Sequence, residues 1–236
     1  MADDFKTVRI ARAWDESPRL RAFSLDLSGT DFAQRFTIPG QYVKARIPGE
    51  AKDAFLALAS APGVREAELL LQKSGGAEPN TVDLVARLGA GDALEITAPA
   101  GKGFAIDAAK GQDVIGPAGG SGISAVRSVI EHVAAHRDDY GRAVLLLGAR
   151  TVDELAYRSL FERWKKARID VDVALSRPAQ GTWPGRTGYV TSLLGELKVD
   201  APRTWVAVAG GKPFVSAVTE SLTGMGVPAE RISKNF

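Results

Sequence analysis

The chain has 236 residues, 45% of them hydrophobic and 25% charged, a length and composition that fit an ordinary globular protein of one or two domains. Its 30 Lys and Arg against 28 Asp and Glu leave a net charge of +2, too little excess to support a dedicated nucleic-acid or membrane-surface binder. The absence of cysteine excludes disulfides, thiolate metal sites, iron–sulfur clusters and a cysteine nucleophile on this chain.

The opening Met1-Ala2-Asp3-Asp4-Phe5-Lys6 is acidic with no apolar run behind it, so no secretory leader is expected. No apolar run approaches the ~20 residues that span a bilayer. A cytoplasmic protein is the expectation. Short strands are predicted over 7–12, 20–27, 42–47, 55–60, 68–73 and 93–97, most of them separated by Pro or Gly. Over 20–27 the mostly apolar set Arg21, Phe23, Leu25 and Leu27 alternates with Leu20, Ala22, Ser24 and Asp26, the period of a half-buried strand. One helix is predicted, over 81–88. This pattern predicts a six-stranded antiparallel β-barrel.

The period then changes. Strands over 113–115, 143–147, 171–175 and 205–209 alternate with helices over 123–136, 152–167, from 190 onward and over 214–225. That alternation predicts a doubly wound parallel sheet, an α/β domain following the barrel. The change near 104–113 divides the chain into 1–108 and 109–236.

The strongest local motif is Gly116-Pro117-Ala118-Gly119-Gly120-Ser121-Gly122, between a strand and a helix. Glycines there let a phosphate approach the backbone, and the helix start offers unpaired N–H groups. The match to Gly-x-Gly-x-x-Gly is poor, so a plain tight turn stays open. His132 and His136 stand four apart on a predicted helix without a third ligand, and read as exposed histidines rather than a metal site. Arg163 to Arg168, with Lys165 and Lys166, reads as a solvated face around Trp164, or as a dock for an acidic carrier.

Read in order, these segments resemble the ferredoxin–NADP+ reductase superfamily. Pro39-Gly40-Gln41-Tyr42-Val43 resembles the block before its flavin strand. Gly89-Ala90-Gly91-Asp92 with Leu94-Glu95 resembles the segment closing its barrel. Gly120-Ser121-Gly122-Ile123 resembles its nucleotide loop. Leu147-Gly148-Ala149-Arg150 through Tyr157, then Gly185 to Val190, then Gly226-Val227-Pro228 through Asn235-Phe236, follow in order. The resemblance implies a flavoprotein oxidoreductase that passes electrons between NAD(P)H and a bound flavin. FAD is favoured over FMN, with NADP or NAD as the nucleotide and a small electron-carrier protein as a possible partner.

The flavin signature Arg-x-Tyr-Ser-x-x-Ser is altered. The matching stretch is Ala54-Phe55-Leu56-Ala57-Leu58-Ala59-Ser60, which is similar to a divergent reductase-like branch. Lost phosphate and stacking contacts of this kind, about 1.5–3 and 0.5–1.5 kcal/mol, weaken flavin binding without abolishing it. By the resemblance, Ser60 and the terminal Phe236 are the catalytic candidates. Gln41, Tyr42, Phe55, Leu56, Ala57, Leu58 and Ser60 line the flavin, and Gly76, Asn80 and Thr81 its phosphates. Gly119, Gly120, Ser121, Gly122, Gly210 and Gly211 hold the dinucleotide. Ser176 and Arg177 grip a 2′-phosphate, a task that suits the planar guanidinium. Ala209 stands where the family carries a cysteine beside the hydride path. These losses motivate an alternative, a non-catalytic or regulatory reductase-fold protein that binds flavin weakly or not at all.

Overall fold

The computed structural model describes residues 4–234. The first half carries β1 (Phe5–Ser17), β2 (Leu20–Asp26), α1 (Phe32–Arg35), β3 (Tyr42–Arg46), β4 (Ala54–Ala57), β5 (Glu66–Gln72), α2 (Thr81–Val85) and β6 (Ala93–Thr97). Among the described residues its six strands pair antiparallel in the order β4-β3-β6-β1-β2-β5. The two end strands are drawn together beyond β4. Leu58 bridges to Leu69, and the Ala59 N–H donates to the Glu68 carbonyl at 2.8 Å. Closure satisfies edges that would otherwise invite pairing with another chain. Val8, Ile10, Phe23, Leu25, Val43, Leu69 and Leu94 fill the interior.

The second half carries β7 (Asp113–Gly119), α3 (Ile123–Ala135), β8 (Ala143–Ala149), α4 (Phe161–Lys166), β9 (Ile169–Leu175), β10 (Arg186–Thr187), α5 (Val190–Glu196), β11 (Thr204–Val208), α6 (Lys212–Gly224) and β12 (Ile232–Lys234). Its sheet runs β10-β9-β8-β7-β11-β12, every pair parallel. β11 is buried at all its positions, as a strand covered on both faces must be. Val126, Ile130 and Trp164 from α3 and α4 pack on Val114, Leu145 and Trp205. Val190, Leu194, Val215 and Val218 from α5 and α6 pack on Val144, Leu146 and Val206 of the other face. The first of these cores continues into the barrel through Leu20, Ala22, Ala59 and Leu70. No helix among the described residues is long and apolar enough to cross a membrane.

The helix predicted over 152–167 is broken. Short 3-10 turns at Val152–Glu154 and Arg158–Leu160 precede α4, and Tyr157 adopts φ +61°. The end of β1 docks at the break: Glu16 Oε2 accepts the Tyr157 N–H at 2.8 Å, and Ser17 Oγ donates to the Asp153 carbonyl at 2.5 Å. Apolar spacing suited a helix there, and contacts from a strand far earlier in the chain override it. β10 and β12, of 2 and 3 residues, carry no pattern long enough to read.

Candidate functional site

The strand order reverses between β7 and β11, so the carboxyl ends of these two strands flank the crevice where open α/β sheets bind ligands. β7 ends at Gly119, and one 3-10 turn over Gly120–Gly122 leads into α3. Two of these glycines are obligatory for different reasons. Gly120 sits at φ +56°, in the left-handed region. A Cβ on Gly122 would overlap the Ala209 carbonyl. Ala209 is fixed there because its carbonyl accepts the Gly119 N–H at 3.0 Å and its N–H donates to the Pro117 carbonyl at 3.2 Å. The sheet therefore delivers the 119–122 loop and Gly210–Gly211 side by side.

A cavity of about 940 Å³ opens against this loop, lined among others by Gly120, Ser121, Gly148, Ser176, Tyr189 and Phe214. Tyr189 is 71% exposed at its rim. Arg150 also borders it, with its guanidinium 2.7 Å from Glu154, a carboxylate that the barrel's Arg19 approaches at 3.6 Å. Arg177 is exposed and forms no ion pair among the described residues; its N–H donates to the Arg150 carbonyl at 2.8 Å.

A second cavity of about 400 Å³ lies between the loop and the barrel, and no charged side chain lines it. Its barrel wall is β4, where alternation sends Ala54 and Leu56 into the barrel core and turns Phe55 and Ala57 outward. Phe55 is 62% exposed. Its ring lies 5.3 Å from that of Tyr42, and the Lys44 ammonium stands 5.2 Å from its centroid. An aromatic thus faces the cleft one position before Leu56, the residue aligned with the family's tyrosine.

Helix α3 joins the two walls. Ser124 Oγ donates to the Ala57 carbonyl at 2.7 Å, Arg127 Nη1 to the Ala59 carbonyl at 3.3 Å, and Ser128 Oγ to the Ser60 carbonyl at 2.6 Å. These three side chains sit at i, i+3 and i+4, one helix face. Arg127 also pairs with Glu68 of β5 at 2.7 Å and lies 4.3 Å over the Tyr157 ring. Burial pushes the Glu68 carboxyl up, and the Arg127 charge offsets only part of that.

The residues predicted from the sequence fall into different settings. Ser60 is buried, and its Oγ accepts the Glu68 N–H at 2.8 Å. Gln41 is buried in its own turn, accepting from Thr37 and Ile38 N–H at 3.2 Å and donating to the Gly101 carbonyl at 3.3 Å. Leu58 is fully buried in the barrel core, and Leu56 points the same way and only edges the cleft. The Asn80 side chain caps α2, accepting the Asp83 N–H at 3.0 Å while Asp83 accepts the Asn80 N–H at 3.0 Å. Thr81 is the first residue of that helix, and the Gly76 N–H donates to Ser74 Oγ at 3.2 Å. Phe236 lies outside the described residues. Gly119, Gly120, Ser121, Gly122, Ser176, Gly210 and Gly211 all line one cavity or the other. His132 and His136 stack at 4.4 Å; Trp164 is buried, with Arg163 paired to Glu131 and Arg168 to Asp138.

Gln72, Arg150 and Tyr189 also line the larger cavity and are not among the residues predicted from the sequence. Tyr189 was within reach, because it follows Gly188 in the 185–190 block. Gln72 had no signal, since it reaches the loop from the opposite half of the molecule.

The cleft suits a flat apolar ring: Phe55, Leu70, Val82 and Ala125 give it apolar walls, and its size is within the range of cofactor sites. A further cavity of about 270 Å³ along α2 offers Lys73 and Arg87 to phosphate, beside Asp83. Residues 118–220 match the family of oxidoreductase NAD-binding domains. Over 226 residues the chain is 32% identical to a fruit protein of Actinidia deliciosa, pKIWI502, an alignment covering 88% of this chain and 69% of that one. It is 26% identical to the sulfhydrogenase 1 subunit gamma of Pyrococcus furiosus over 230 residues, 95% of this chain and 77% of that one. The fold superposes on the flavohem-like FAD/NAD binding domain of nitric oxide dioxygenase from Vibrio cholerae with a TM-score of 0.82, at 18% identity, covering 99% of this chain and 98% of that one.

The chain belongs to the ferredoxin–NADP+ reductase superfamily. It is accordingly an oxidoreductase that moves electrons between NAD(P)H and a bound flavin. In this reductase the glycine loop and the parallel sheet follow the superfamily pattern, while the barrel wall departs from it at Ala54, Leu56 and Ala57.

Proposed function

We propose that this reductase takes reducing equivalents from NADPH bound in the larger cavity, holds FAD in the cleft against Phe55, and delivers electrons to a carrier protein. The observation that carries this reading is the meeting of the two cavities: Gln72, Ser121 and Gly211 line both. The cofactors supply the hydride and electron chemistry, and the protein supplies position. Phe55 offers a ring face to the flavin, and its neighbour Tyr42 steadies that ring. Lys73 and Arg87 supply charge for the pyrophosphate beside the 76–81 turn. Gly210 and Gly211 bring bare backbone to the hydride path, with Ala209 behind them. Tyr189 stacks on the adenine, and Arg177, with Arg150 and Ser176, holds the 2′-phosphate. The barrel, over 1–108, and the nucleotide domain, over 109–236, divide these tasks.

A second reading has its own support. With no charged side chain on the cleft and the Ser60 hydroxyl committed to Glu68, flavin affinity has lost its usual polar anchors. That observation favours a regulatory protein with the reductase fold as the second reading. Visible spectra with and without added FAD separate the two. A yellow protein that bleaches with NADPH supports the enzyme, and a protein that takes up no FAD at micromolar concentration supports the alternative. Arg177→Ala should weaken NADPH binding roughly tenfold or more and leave NADH unchanged, since a charged hydrogen bond contributes about 1.5–3 kcal/mol; equal losses for both nucleotides would refute the 2′-phosphate assignment.

A further inference from the structure

The partition between the two cavities has one part that belongs to the barrel. Gln72 is the last residue of β5, whereas Ser121 and Gly211 come from the nucleotide half. Gln72 Oε1 accepts the Ser121 N–H at 3.2 Å. The same oxygen stands 3.4 Å from where a Cβ on Gly120 would sit, so the glycine leaves room for it. Ser121 lies in the turn that opens α3, a helix of 13 residues, where N–H groups lack intrahelical partners and the dipole favours an anion. An uncharged amide oxygen from the other half of the molecule therefore already holds a donor of the kind a phosphate oxygen would take.

The hold is light. Its length is at the long end for an N–H···O bond. Among the described residues the Gln72 amide nitrogen makes no hydrogen bond, so the one to Ser121 fixes the side-chain head. A phosphate oxygen makes a charge-assisted bond to the same donor, roughly twice as strong as a neutral one.

We propose that Gln72 is a latch between the nucleotide cavity and the flavin cleft: it occupies the Ser121 N–H until the phosphate of a bound dinucleotide displaces it, and its release opens the partition. This rests on the functional reading above, in which the larger cavity takes the dinucleotide. The latch carries no charge, so it competes with the ligand without repelling it. Displacement also couples the two halves, because nucleotide arrival at the loop frees a side chain rooted in the barrel.

The test is calorimetric titration of the purified protein with NADP+ and with NAD+, oxidised forms that report binding without turnover. Gln72→Ala and the near-isosteric Gln72→Met remove the competing oxygen and should tighten both nucleotides by roughly two- to tenfold, the fold-change of one net hydrogen bond. Gln72→Glu places a charged acceptor on the same donor and should weaken both at least tenfold. The Ser121 amide resonance should shift when NADP+ is added to the wild type and be shifted from the outset in Gln72→Met. Wild-type binding with Gln72→Met equal to it or weaker overturns the latch alone. A wild type that binds neither nucleotide overturns the functional reading and the latch with it.

Discussion

The two walls of the cleft proposed for the flavin are built on opposite principles. The nucleotide-domain wall is backbone and small residues, with Gly122, Gly210 and Gly211 beside Ser121, Ser124 and Ala125. The barrel wall is side chain, with Phe55 outward and Leu56 in the core of a short strand. A wall made of backbone has little room for added atoms: a Cβ on Gly122 would meet the Ala209–Gly210 main chain, and one on Gly210 the Phe214 ring. A wall made of side chains can change its chemistry and keep its shape, and here it has exchanged polar groups for apolar ones while an exposed aromatic stays on the cleft. Recognition of the nucleotide is therefore written into the fold, and recognition of the flavin into replaceable residues.

The contrast breaks most severely where the walls are joined. Arg127→Met leaves the mostly buried Glu68 carboxylate without its ion-pair partner, and should cost about 3 kcal/mol of stability, the low end for a buried pair, read as a fall in the denaturant midpoint. Adding Glu68→Gln should recover part of that loss. On the backbone wall, Gly122→Ala pushes the 120–122 turn away from the Ala209–Gly210 peptide and should cost about 1–3 kcal/mol with loss of NADP+ binding. Gly195→Ala in α5 is its control. Nothing lies within 4 Å of the added Cβ, and helix propensity should raise stability by up to about 1 kcal/mol. On the side-chain wall, Phe55→Ala should lower FAD affinity by about 0.5–1.5 kcal/mol, two- to twelvefold, with the melting temperature unchanged. Were Leu56→Ala to lower FAD affinity at unchanged stability instead, the outward direction assigned to Phe55 would be wrong.

The smallest effect is electrostatic and lies beside the cleft. Hydrogen bonds from Ser74 and Asn80 hold the Asp83 carboxyl below its usual value of 3.8. A depressed carboxylate stabilises the fold above its unfolded value, and that contribution is lost as the pH falls through the folded value. The 74–83 turn should loosen only below pH 3.8, seen as faster amide exchange there than in β5. Asp83→Asn should remove that dependence.

The barrel and the parallel sheet were legible because alternation of two and spacing of three to four both survive in this chain, as in β2 and α3. The glycine loop was legible because its residues are adjacent in sequence. What stayed hidden depends on parity or on distance. A strand's outward set follows from its pairing register: motif alignment gave Phe55 and Leu56 alike to the flavin, and register turns Phe55 outward and Leu56 toward the barrel core. Ser60 keeps the residue type of the family motif, yet its hydroxyl turns to Glu68, a partner fixed only once the barrel closes. Gln72 and Ser121 lie 49 positions apart, and Glu16 and Tyr157 lie 141 apart; no local pattern brings such pairs together.

Helix α3 grips the barrel mostly by main-chain oxygens. Ser124, Arg127 and Ser128 reach the carbonyls of Ala57, Ala59 and Ser60, and every amino acid supplies such a carbonyl. The seam is therefore largely indifferent to which side chains the barrel segment displays. Such a joint lets one wall of the cleft diverge in sequence while the geometry that sets the two walls against each other is kept.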